Sequence, residues 1–176
     1  MTASATIATY RDLYAGGYMR DNWEWRATGL DDLLGGASRV LEVGAGRGQL
    51  AQAMRRKGLD WTACDPCPSD GVELGVMPRL PYADLSFDLT VSIDVLEHLP
   101  PNIALCCMAD LRRVARRGVW AVANMSDVHR VNGVDTELHL IQQPAPWWVD
   151  QIRSIGGVAR VHKTDTPIRF WLEVSW

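Results

Sequence analysis

The amino-acid sequence predicts an α/β fold in which a mostly parallel, doubly wound sheet carries helices on both faces. Short apolar segments typical of strands alternate with segments of helical periodicity, which is the pattern of βαβ crossovers. The first strand ends in a glycine-rich turn. The last two strands are joined only by the segment TDTP, which is too short for a crossover, so we expect them to pair antiparallel.

The elements follow one another in a regular order. The first strand, SRVLEVGAG, leads into a helix in QLAQAMRRKG, where Gly58 is a typical helix stop. A second strand, DWTACDP, is closed by Asp65 and Pro66, and a third lies in SFDLTVSID. We then expect a helix through NIALCCMADLRRVARR, a strand in GVWAVANM, a loop from Ser126 to Pro146 that includes the start of a helix in APWWVDQIRSIGG, and the strands VARVHKTD and IRFWLEVSW.

Length and composition indicate one structural domain, because 176 residues with 47% hydrophobic content can bury a sizeable core. Within it we distinguish an N-terminal helical cover, residues 1–37, expected over the mouth of the sheet, from a main unit, residues 38–176. The formal charge of −3 gives no general attraction to nucleic acid or to an acidic membrane surface. No apolar run is long enough to span a bilayer and no signal-peptide pattern opens the chain, so we expect a cytoplasmic protein.

The cysteines offer one metal-like spacing. Cys64 and Cys67 are spaced like half of a zinc site, but Cys106 and Cys107 are adjacent in a helical segment and would project about 100° apart. Because such a pair does not easily supply the other half, we expect ordinary reduced thiols, with structural zinc as the alternative.

The turn after the first strand carries Glu42, Gly44, Gly46 and Gly48. Glycines at a strand-to-helix turn let a ligand approach the backbone amides and the helix N-terminus closely, although a tight turn without a ligand would use the same residues. The spacing differs from the dinucleotide fingerprint Gly-x-Gly-x-x-Gly, because Gln49 stands where the third glycine would be.

Acid-x-Gly-x-Gly-x-Gly at the end of the first strand resembles the cofactor loop of the class I S-adenosylmethionine-dependent methyltransferases. Asp65, 23 residues after Glu42, matches the acidic residue that closes the second strand in this family. The segment LPYADLSFDLTVSIDVLEHLPP is similar to the family's fourth-strand region and its VLEH exit. The resemblance covers residues 38–124 and implies a Rossmann-like sheet of seven strands whose last strand is antiparallel.

The resemblance also implies S-adenosylmethionine as the cofactor. Asp65 would accept hydrogen bonds from both ribose hydroxyls, and Glu42 would lie near the amino group or simply cap the loop. Relatives usually carry Gly-Asp-Ala where this chain has Gly75, Val76 and Met77, so the adenine edge must be read by the backbone or by another side chain. The expected cofactor contacts are Glu42, Gly44, Ala45, Gly46, Asp65, Pro66, Met77 and Ile93.

Three ionisable residues stand together in the stretch SIDVLEHLPP, at the exit of the third predicted strand. Residues three and four apart share a helix face, so a helix beginning there would place Asp94, Glu97 and His98 around one point at the carboxyl edge of the sheet. Methyl transfer from a sulfonium requires an acceptor that is positioned and deprotonated. We therefore predict that His98, helped by Glu97 and Asp94, handles an acceptor hydroxyl.

A divalent metal is an alternative use of the same residues. Similar acid-x-x-Glu-His runs occur in methyltransferase branches that O-methylate ubiquinone precursors or the 2′-hydroxyl of small-RNA ends, and there the resemblance implies a bound metal. The ligands here would be Asp94, Glu97 and His98, with His139 or His129 as the fourth. A non-metal base, or a structural Glu and His at a helix start, would give the same pattern.

Aromatic and basic residues supply secondary candidates. Trp147 and Trp148 cannot both face inward on a helix, so one should be partly exposed, either to line a planar or sugar-like acceptor or to bury itself in a homodimer contact. Trp120 is expected in the core. Trp23, Trp25, Arg20 and Arg26 belong to the cover, and Arg112, Arg113, Arg116 and Arg117 are expected at a solvated helix end.

The sequence therefore predicts a methyltransferase that O-methylates a small-molecule hydroxyl, such as that of a sugar, a polyphenol or another natural product. A metal-dependent RNA 2′-O-methyltransferase is one alternative, although the acidic charge disfavours a nucleic-acid partner. The other is a cofactor-binding or partner-binding module without transfer activity, which Val76 in place of the usual Asp would favour.

Overall fold

A computed structural model describes residues 3–18, 23–164 and 168–176. The helices are α1 (Ala3–Ala15), α2 (Trp23–Arg26), α3 (Leu30–Leu33), α4 (Gln49–Arg56), α5 (Ala104–Val114) and α6 (Ala145–Ser154), with a 3₁₀ turn over Leu96–His98. The strands are β1 (Arg39–Val43), β2 (Asp60–Asp65), β3 (Glu73–Leu74), β4 (Phe87–Ile93), β5 (Ala115–Ala123), β6 (Val128–Val131), β7 (Val134–Glu137), β8 (Val158–Lys163) and β9 (Arg169–Ser175).

Seven strands form one sheet in the order β3-β2-β1-β4-β5-β9-β8. All neighbouring pairs from β3 to β5 are parallel, whereas β9 runs antiparallel to both β5 and β8. The predicted α/β class and the reversed last strand are confirmed. The short connection before β9 forces the reversal, because only a long crossover can return a chain to the starting edge of a parallel sheet.

Two apolar layers cover the two faces of the sheet, as expected for strands that are buried on both sides. Alternate residues along β1 divide between them: Leu41 packs with α5 and α6 on one face, and Val40 packs with α3 and α4 on the other. Trp120 and Trp148 fill the first layer and are fully buried. The apolar core therefore packs against both faces of the sheet, and loops form the surface at its carboxyl edge.

Two strand regions were not predicted. β3 contains only Glu73 and Leu74, both exposed, and such a short edge strand has no apolar pattern to reveal it. The loop expected from Ser126 contains the hairpin β6–β7, which pairs through four registers, from Val128 with Glu137 to Val131 with Val134. Asn132 and Gly133, both with positive φ, form its turn. The hairpin stands apart from the main sheet.

The predicted boundary between the helix in NIALCCMADLRRVARR and the next strand is wrong. Helix α5 ends at Val114, and Arg116 and Arg117 belong to β5. Arg117 pairs with Leu89 in the sheet register, and its guanidinium donates to the carbonyls of Leu33 and Leu34 at the end of α3. A long arginine side chain suits the last turn of a helix and the first residues of a strand equally, so helical periodicity alone could not separate the two.

The prediction for the tryptophan pair of α6 is confirmed, because Trp148 is fully buried and Trp147 is half-buried. Arg20 and the side chains of Trp25 and Arg26 lie outside the described residues. In the ranges that are described, no helix combines the length and the apolar character needed to cross a bilayer.

Replacing Trp148 with Ala should lower the free energy of unfolding by about 3–5 kcal/mol, because a fully buried indole is lost together with its hydrogen bond to the Gln143 carbonyl. Trp147→Ala is the matched control and should lower the free energy of unfolding by clearly less. Urea denaturation of both variants measures the difference. Equal losses in the two variants would contradict the assignment of Trp148 to the core.

Candidate functional site

A cleft opens at the carboxyl edge of the sheet between β1 and β4. The chain leaves β1 toward β2 on one side, whereas β4 lies on the other, and ligands of open α/β sheets bind at such a switch point. Two adjoining cavities, each with about 770 Å³ of empty space, share the lining residues Tyr10, Tyr14, Gly44, Asp94 and His98. They therefore form one continuous cleft, and all eight residues expected to contact the cofactor line it.

The glycine turn forms the floor of the cleft. Gly44 has a φ of 78°, and a Cβ atom built on it would lie 2.3 Å from Cγ2 of Val95. Any side chain at this position would collide with the loop after β4, so glycine is required both by conformation and by space. The amides of Gly44 and Ala45 donate to the Cys64 carbonyl, which fixes the turn against the end of β2.

Asp65 closes β2 and is buried beside the glycine turn. Its Oδ2 accepts the Gly46 amide at 2.9 Å, and its Oδ1 accepts the Cys67 amide at 2.8 Å. Burial raises the pKa of this carboxyl to about 6, although the two amide hydrogen bonds act in the opposite direction. Both oxygens keep further lone pairs, so the carboxylate can accept additional hydrogen bonds from a ligand.

Glu42 lies beneath the same turn and is 5% exposed. Its Oε2 accepts a hydrogen bond from the Trp61 indole at 2.8 Å. Burial raises the pKa of Glu42 to about 7, and the bond from Trp61 only partly offsets this rise. A positively charged ligand group would stabilise the ionised form of this buried carboxylate, because it would offset the lost hydration.

The half of the cleft that lies beyond Asp65 is predominantly apolar. Its lining includes Val76, Met77, Val95, Leu99 and Ile103. Val76 occupies the position at which relatives were expected to carry an aspartate, and among the lining residues of this half the acids are Asp65 and Asp94. A planar, weakly polar group such as a nucleobase fits this environment by burial and stacking contacts.

Helix α1 covers the cleft with aromatic side chains. Tyr10 and Tyr14, one helical turn apart, line both cavities, and the Tyr10 ring meets the His98 ring edge to face at 5.4 Å. Arg47 donates to the Tyr14 carbonyl and lies over its ring, which ties α1 to the glycine turn. The spacing of these tyrosines was available in the sequence, but their role as a lining was not predicted.

Asp94 differs from its predicted arrangement. It has a φ of 54° and precedes the 3₁₀ turn, so the expectation of a helix that begins at Asp94 is wrong. Its Oδ1 lies 3.2 Å from Nε of Arg169, and both side chains are buried. The left-handed backbone at Asp94 breaks the helical spacing on which its predicted grouping with Glu97 and His98 depended.

Glu97, His98 and His139 do come together. One ligand-type atom from each lies within 4.8 Å of the others, and all three residues are buried. His98 lines the cleft, whereas Glu97 lies behind it, with Oε1 accepting the Ala123 amide at 2.9 Å. Among the described residues, this group of potential metal ligands includes none of Asp94, Asp127 and His129. His129 instead pairs with Asp127 at 3.0 Å and contacts the Tyr18 ring.

The four cysteines are free thiols. Cys106 is exposed and Cys107 is buried, in agreement with their predicted divergence on the helix. Burial raises the pKa of both Cys64 and Cys107 to about 12, so these two thiols are protonated at neutral pH.

Comparison with known proteins agrees with this geometry. Residues 19–155 match a methyltransferase-domain family. Two curated relatives, each named an uncharacterized methyltransferase, from Mycobacterium sp. strains KMS and MCS, are 35% identical over 98 residues, 49% of this chain. The matched region spans 38% of the length of each of these relatives.

Solved structures share the fold at low sequence identity. A Burkholderia thailandensis 1,6-didemethyltoxoflavin-N1-methyltransferase, solved with its substrate and S-adenosylhomocysteine, superposes with a TM-score of 0.72 at 17% identity, over 98% of this chain and 87% of that one. A DhpI–SAH complex gives a TM-score of 0.69 at 17% identity, over 98% and 94%. The family match, the sheet order and the placement of the glycine turn together establish that the chain belongs to the class I S-adenosylmethionine-dependent methyltransferases.

Proposed function

We propose that the protein transfers the methyl group of S-adenosylmethionine to the hydroxyl of a small molecule. The observation that carries this proposal is the position of His98, whose imidazole lines the cleft beside both Gly44 and Asp94. A base at the junction of the two cavities is where an acceptor would meet a cofactor bound on the glycine turn.

The cleft offers each part of the cofactor a matching environment. The ribose hydroxyls would donate to Asp65, and the ammonium group would lie toward Glu42, whose buried charge it offsets. The adenine would fill the apolar half beside Met77 and Ile103, with its edge read by backbone groups. The remaining contacts would come from Gly44, Ala45, Gly46, Pro66 and Ile93, which all line the cleft.

The hydrogen bonds of His98 support its role as a base. Its Nδ1 lies 2.9 Å from the Leu138 carbonyl, an acceptor, so Nδ1 carries the proton and Nε2 carries the lone pair in the neutral ring. As the acceptor oxygen attacks the methyl carbon, the carbon–sulfur bond breaks and the hydroxyl proton passes to Nε2. The products are S-adenosylhomocysteine, the methyl ether and an imidazolium.

Glu97 and Asp94 act as positioning residues in this proposal. Glu97 fixes the turn that carries His98, because its carboxylate accepts the Ala123 amide and its carbonyl accepts the Ile141 amide. Asp94 lines the cleft while paired with Arg169, so the pair adds no net charge beside the sulfonium.

A divalent metal is the alternative to the base mechanism, because His98 Nε2 has one lone pair and cannot both bind an ion and accept the hydroxyl proton. Glu97, His98 and His139 supply one carboxylate and two imidazoles from buried positions, a donor set suited to a divalent ion. An ion bound there would lower the pKa of a coordinated acceptor hydroxyl and orient it.

The acceptor is proposed to be small and partly aromatic. Tyr10, Tyr14, Tyr18 and Trp23 surround the half of the cleft next to His98, and their rings suit a planar molecule. The structural relative from Burkholderia thailandensis carries a small-molecule substrate, which favours the same class here. The net charge of −3 disfavours a polyanionic acceptor such as RNA.

Asp65→Asn should weaken S-adenosylmethionine binding about tenfold to a hundredfold, because charged hydrogen bonds to the ribose contribute about 1.5–3 kcal/mol. Calorimetric titration measures the affinity. Asp60→Asn, at the exposed opposite end of the same strand, is the matched control and should bind like the wild type. Equal affinities for Asp65→Asn and the wild type would refute the ribose assignment.

Glu42→Gln should have opposite effects on stability and on binding. Between pH 4.5 and 7 the folded chain keeps a proton that the unfolded chain has lost, so the unfolding free energy of the wild type falls as pH rises, by about 3 kcal/mol at pH 8. The Gln side chain does not titrate, so the variant should be more stable than the wild type at pH 8. Near pH 4.5 the two proteins should have similar stability in urea denaturation.

The same Glu42→Gln protein should bind S-adenosylmethionine at least tenfold more weakly at pH 8, because a neutral amide does not pair with the ammonium group. Calorimetry at that pH gives the comparison. If the variant is more stable and still binds S-adenosylmethionine with wild-type affinity, then Glu42 has only a structural role in the loop.

His98→Ala should lower turnover at least a hundredfold, since a positioned base contributes about 10²–10⁴ to the rate. S-adenosylhomocysteine formation is measured across a panel of phenols, sugars and amines, which also separates O- from N-methylation. His162→Ala is the control, because His162 is half-buried on the distant strand β8 and pairs there with Glu173 of β9. Unchanged turnover in His98→Ala would discard the catalytic assignment.

A further inference from the structure

The stem of the β6–β7 hairpin presents a second carboxylate to the Glu97–His98 turn. Residues 125–139 reach this turn through His139, whose ring contacts that of His98 at a centroid distance of 4.6 Å. Asp127 stands beside His139, where its Oδ2 lies 3.6 Å from Nε2 of the ring. Asp127 therefore lies beside His139, outside the group of three ligand atoms within 4.8 Å that Glu97, His98 and His139 form.

We infer that Asp127, and not Asp94, completes a divalent-metal site with Glu97, His98 and His139, and that this site takes a transition metal such as Zn²⁺ or Mn²⁺. The inference deepens the proposed function, on which its catalytic meaning rests. Metal binding itself can be measured without any methyl transfer.

Both histidines are oriented for ligation through Nε2. His98 holds the Leu138 carbonyl with Nδ1, and His139 holds the Met125 carbonyl with Nδ1 at 2.6 Å. A carbonyl accepts only, so each Nδ1 is the protonated nitrogen, and each Nε2 carries the lone pair when the ring is neutral. Metal-binding histidines are commonly fixed in this way by a backbone carbonyl on the other nitrogen.

The separation of Asp127 from His139 fits two ligands of one ion. At 3.6 Å the two atoms are too far apart for a normal hydrogen bond. Ligand atoms that each lie about 2.1 Å from one ion are about 3.0–3.5 Å from each other in octahedral or tetrahedral sites. A small inward movement of the Asp127 carboxylate would therefore bring both atoms into one coordination shell.

The hairpin stem holds Asp127 and His139 in a fixed relation. Oε1 of Glu137 accepts both the Asp127 amide at 2.8 Å and the His139 amide at 2.9 Å. The Leu138 amide donates to the Asp127 carbonyl, and His129 Nε2 lies 3.0 Å from Asp127 Oδ1. One carboxylate oxygen is thus oriented by His129 while the other faces His139, an outer shell of the kind that positions metal ligands.

Asp94 is committed elsewhere. Its carboxylate lies 3.2 Å from the Arg169 guanidinium, with side chains only 3% and 6% exposed, so its charge is already balanced inside the protein. Moving it to a metal would leave Arg169 buried beside no compensating charge, which is costly. The motif that suggested Asp94 as a ligand therefore does not decide the donor set.

The donor set also selects the class of metal. Two imidazole nitrogens and two carboxylates suit Zn²⁺, Mn²⁺ and similar ions, whereas Mg²⁺ and Ca²⁺ prefer oxygen ligands alone. Two carboxylate charges would neutralise a divalent ion, which favours burial of the assembled site.

The test is titration of the chelator-treated full chain with Mn²⁺ and with Zn²⁺ by calorimetry, and with Co²⁺ by visible absorption. We expect one ion per chain. Asp127→Asn should weaken binding at least tenfold, since even outer-shell changes cost about 10–100-fold, and should change the Co²⁺ spectrum. Asp94→Asn should bind metal like the wild type, as should the control Asp135→Asn on the exposed part of the same hairpin.

Several outcomes would overturn the inference: no metal binding by the wild type, wild-type affinity in Asp127→Asn, or an equal loss in Asp94→Asn. Circular dichroism of the metal-free variants checks folding. If Asp127→Asn does not fold, Asp127→Glu keeps the charge but shifts the carboxylate, and wild-type affinity and spectrum in that variant would count against the site. Titration of the same samples with S-adenosylmethionine reports separately on the proposed function.

Discussion

The cleft depends on the carboxylate of Asp65, which joins the two loops that form its floor. One oxygen holds the Gly46 amide in the turn after β1, and the other holds the Cys67 amide in the turn after β2. With these bonds in place, Gly44 can pass close beneath Val95. The same carboxylate is the one proposed to hold the ribose, so the residue that shapes the cleft also binds within it.

Several acidic groups are buried at this edge of the sheet, and each is balanced differently. Glu42 relies on the Trp61 indole and has its pKa raised to about 7 by burial. Asp94 has the Arg169 guanidinium beside it. An acid whose charged form is disfavoured in the ligand-free protein is stabilised when a cationic ligand binds. Sites for charged ligands are for this reason often poorly optimised for stability.

Parts of the site come from elements that are far apart in the sequence. Helix α1 supplies Tyr10 and Tyr14 and the turn after β4 supplies His98, whereas the hairpin stem would supply His139 and Asp127 to the proposed metal site. Asp12 of α1 accepts a hydrogen bond from Asn132 at the hairpin turn, so these two covering elements are also joined to each other. Neither covering element belongs to the main sheet, although α1 lines both halves of the cleft.

The sequence alone determined the features that depend on local chemistry. The glycine turn, Asp65 at the end of β2, the alternation of strands and helices and the reversal of β9 all follow from short segments, because turn conformation and strand periodicity are set by neighbouring residues. The eight expected cofactor residues line one cleft for the same reason: they end parallel strands, and parallel strands end at one edge.

Only the tertiary structure decided which distant side chains meet. The backbone at Asp94 is left-handed and its carboxylate lies beside Arg169, which no local pattern indicates. The β6–β7 hairpin has mostly polar or exposed positions, so it gives no apolar alternation, yet its stem brings His139 to Glu97 and His98, with Asp127 beside His139. Local periodicity specifies elements, whereas contacts between charges remote in the sequence depend on how the whole chain packs.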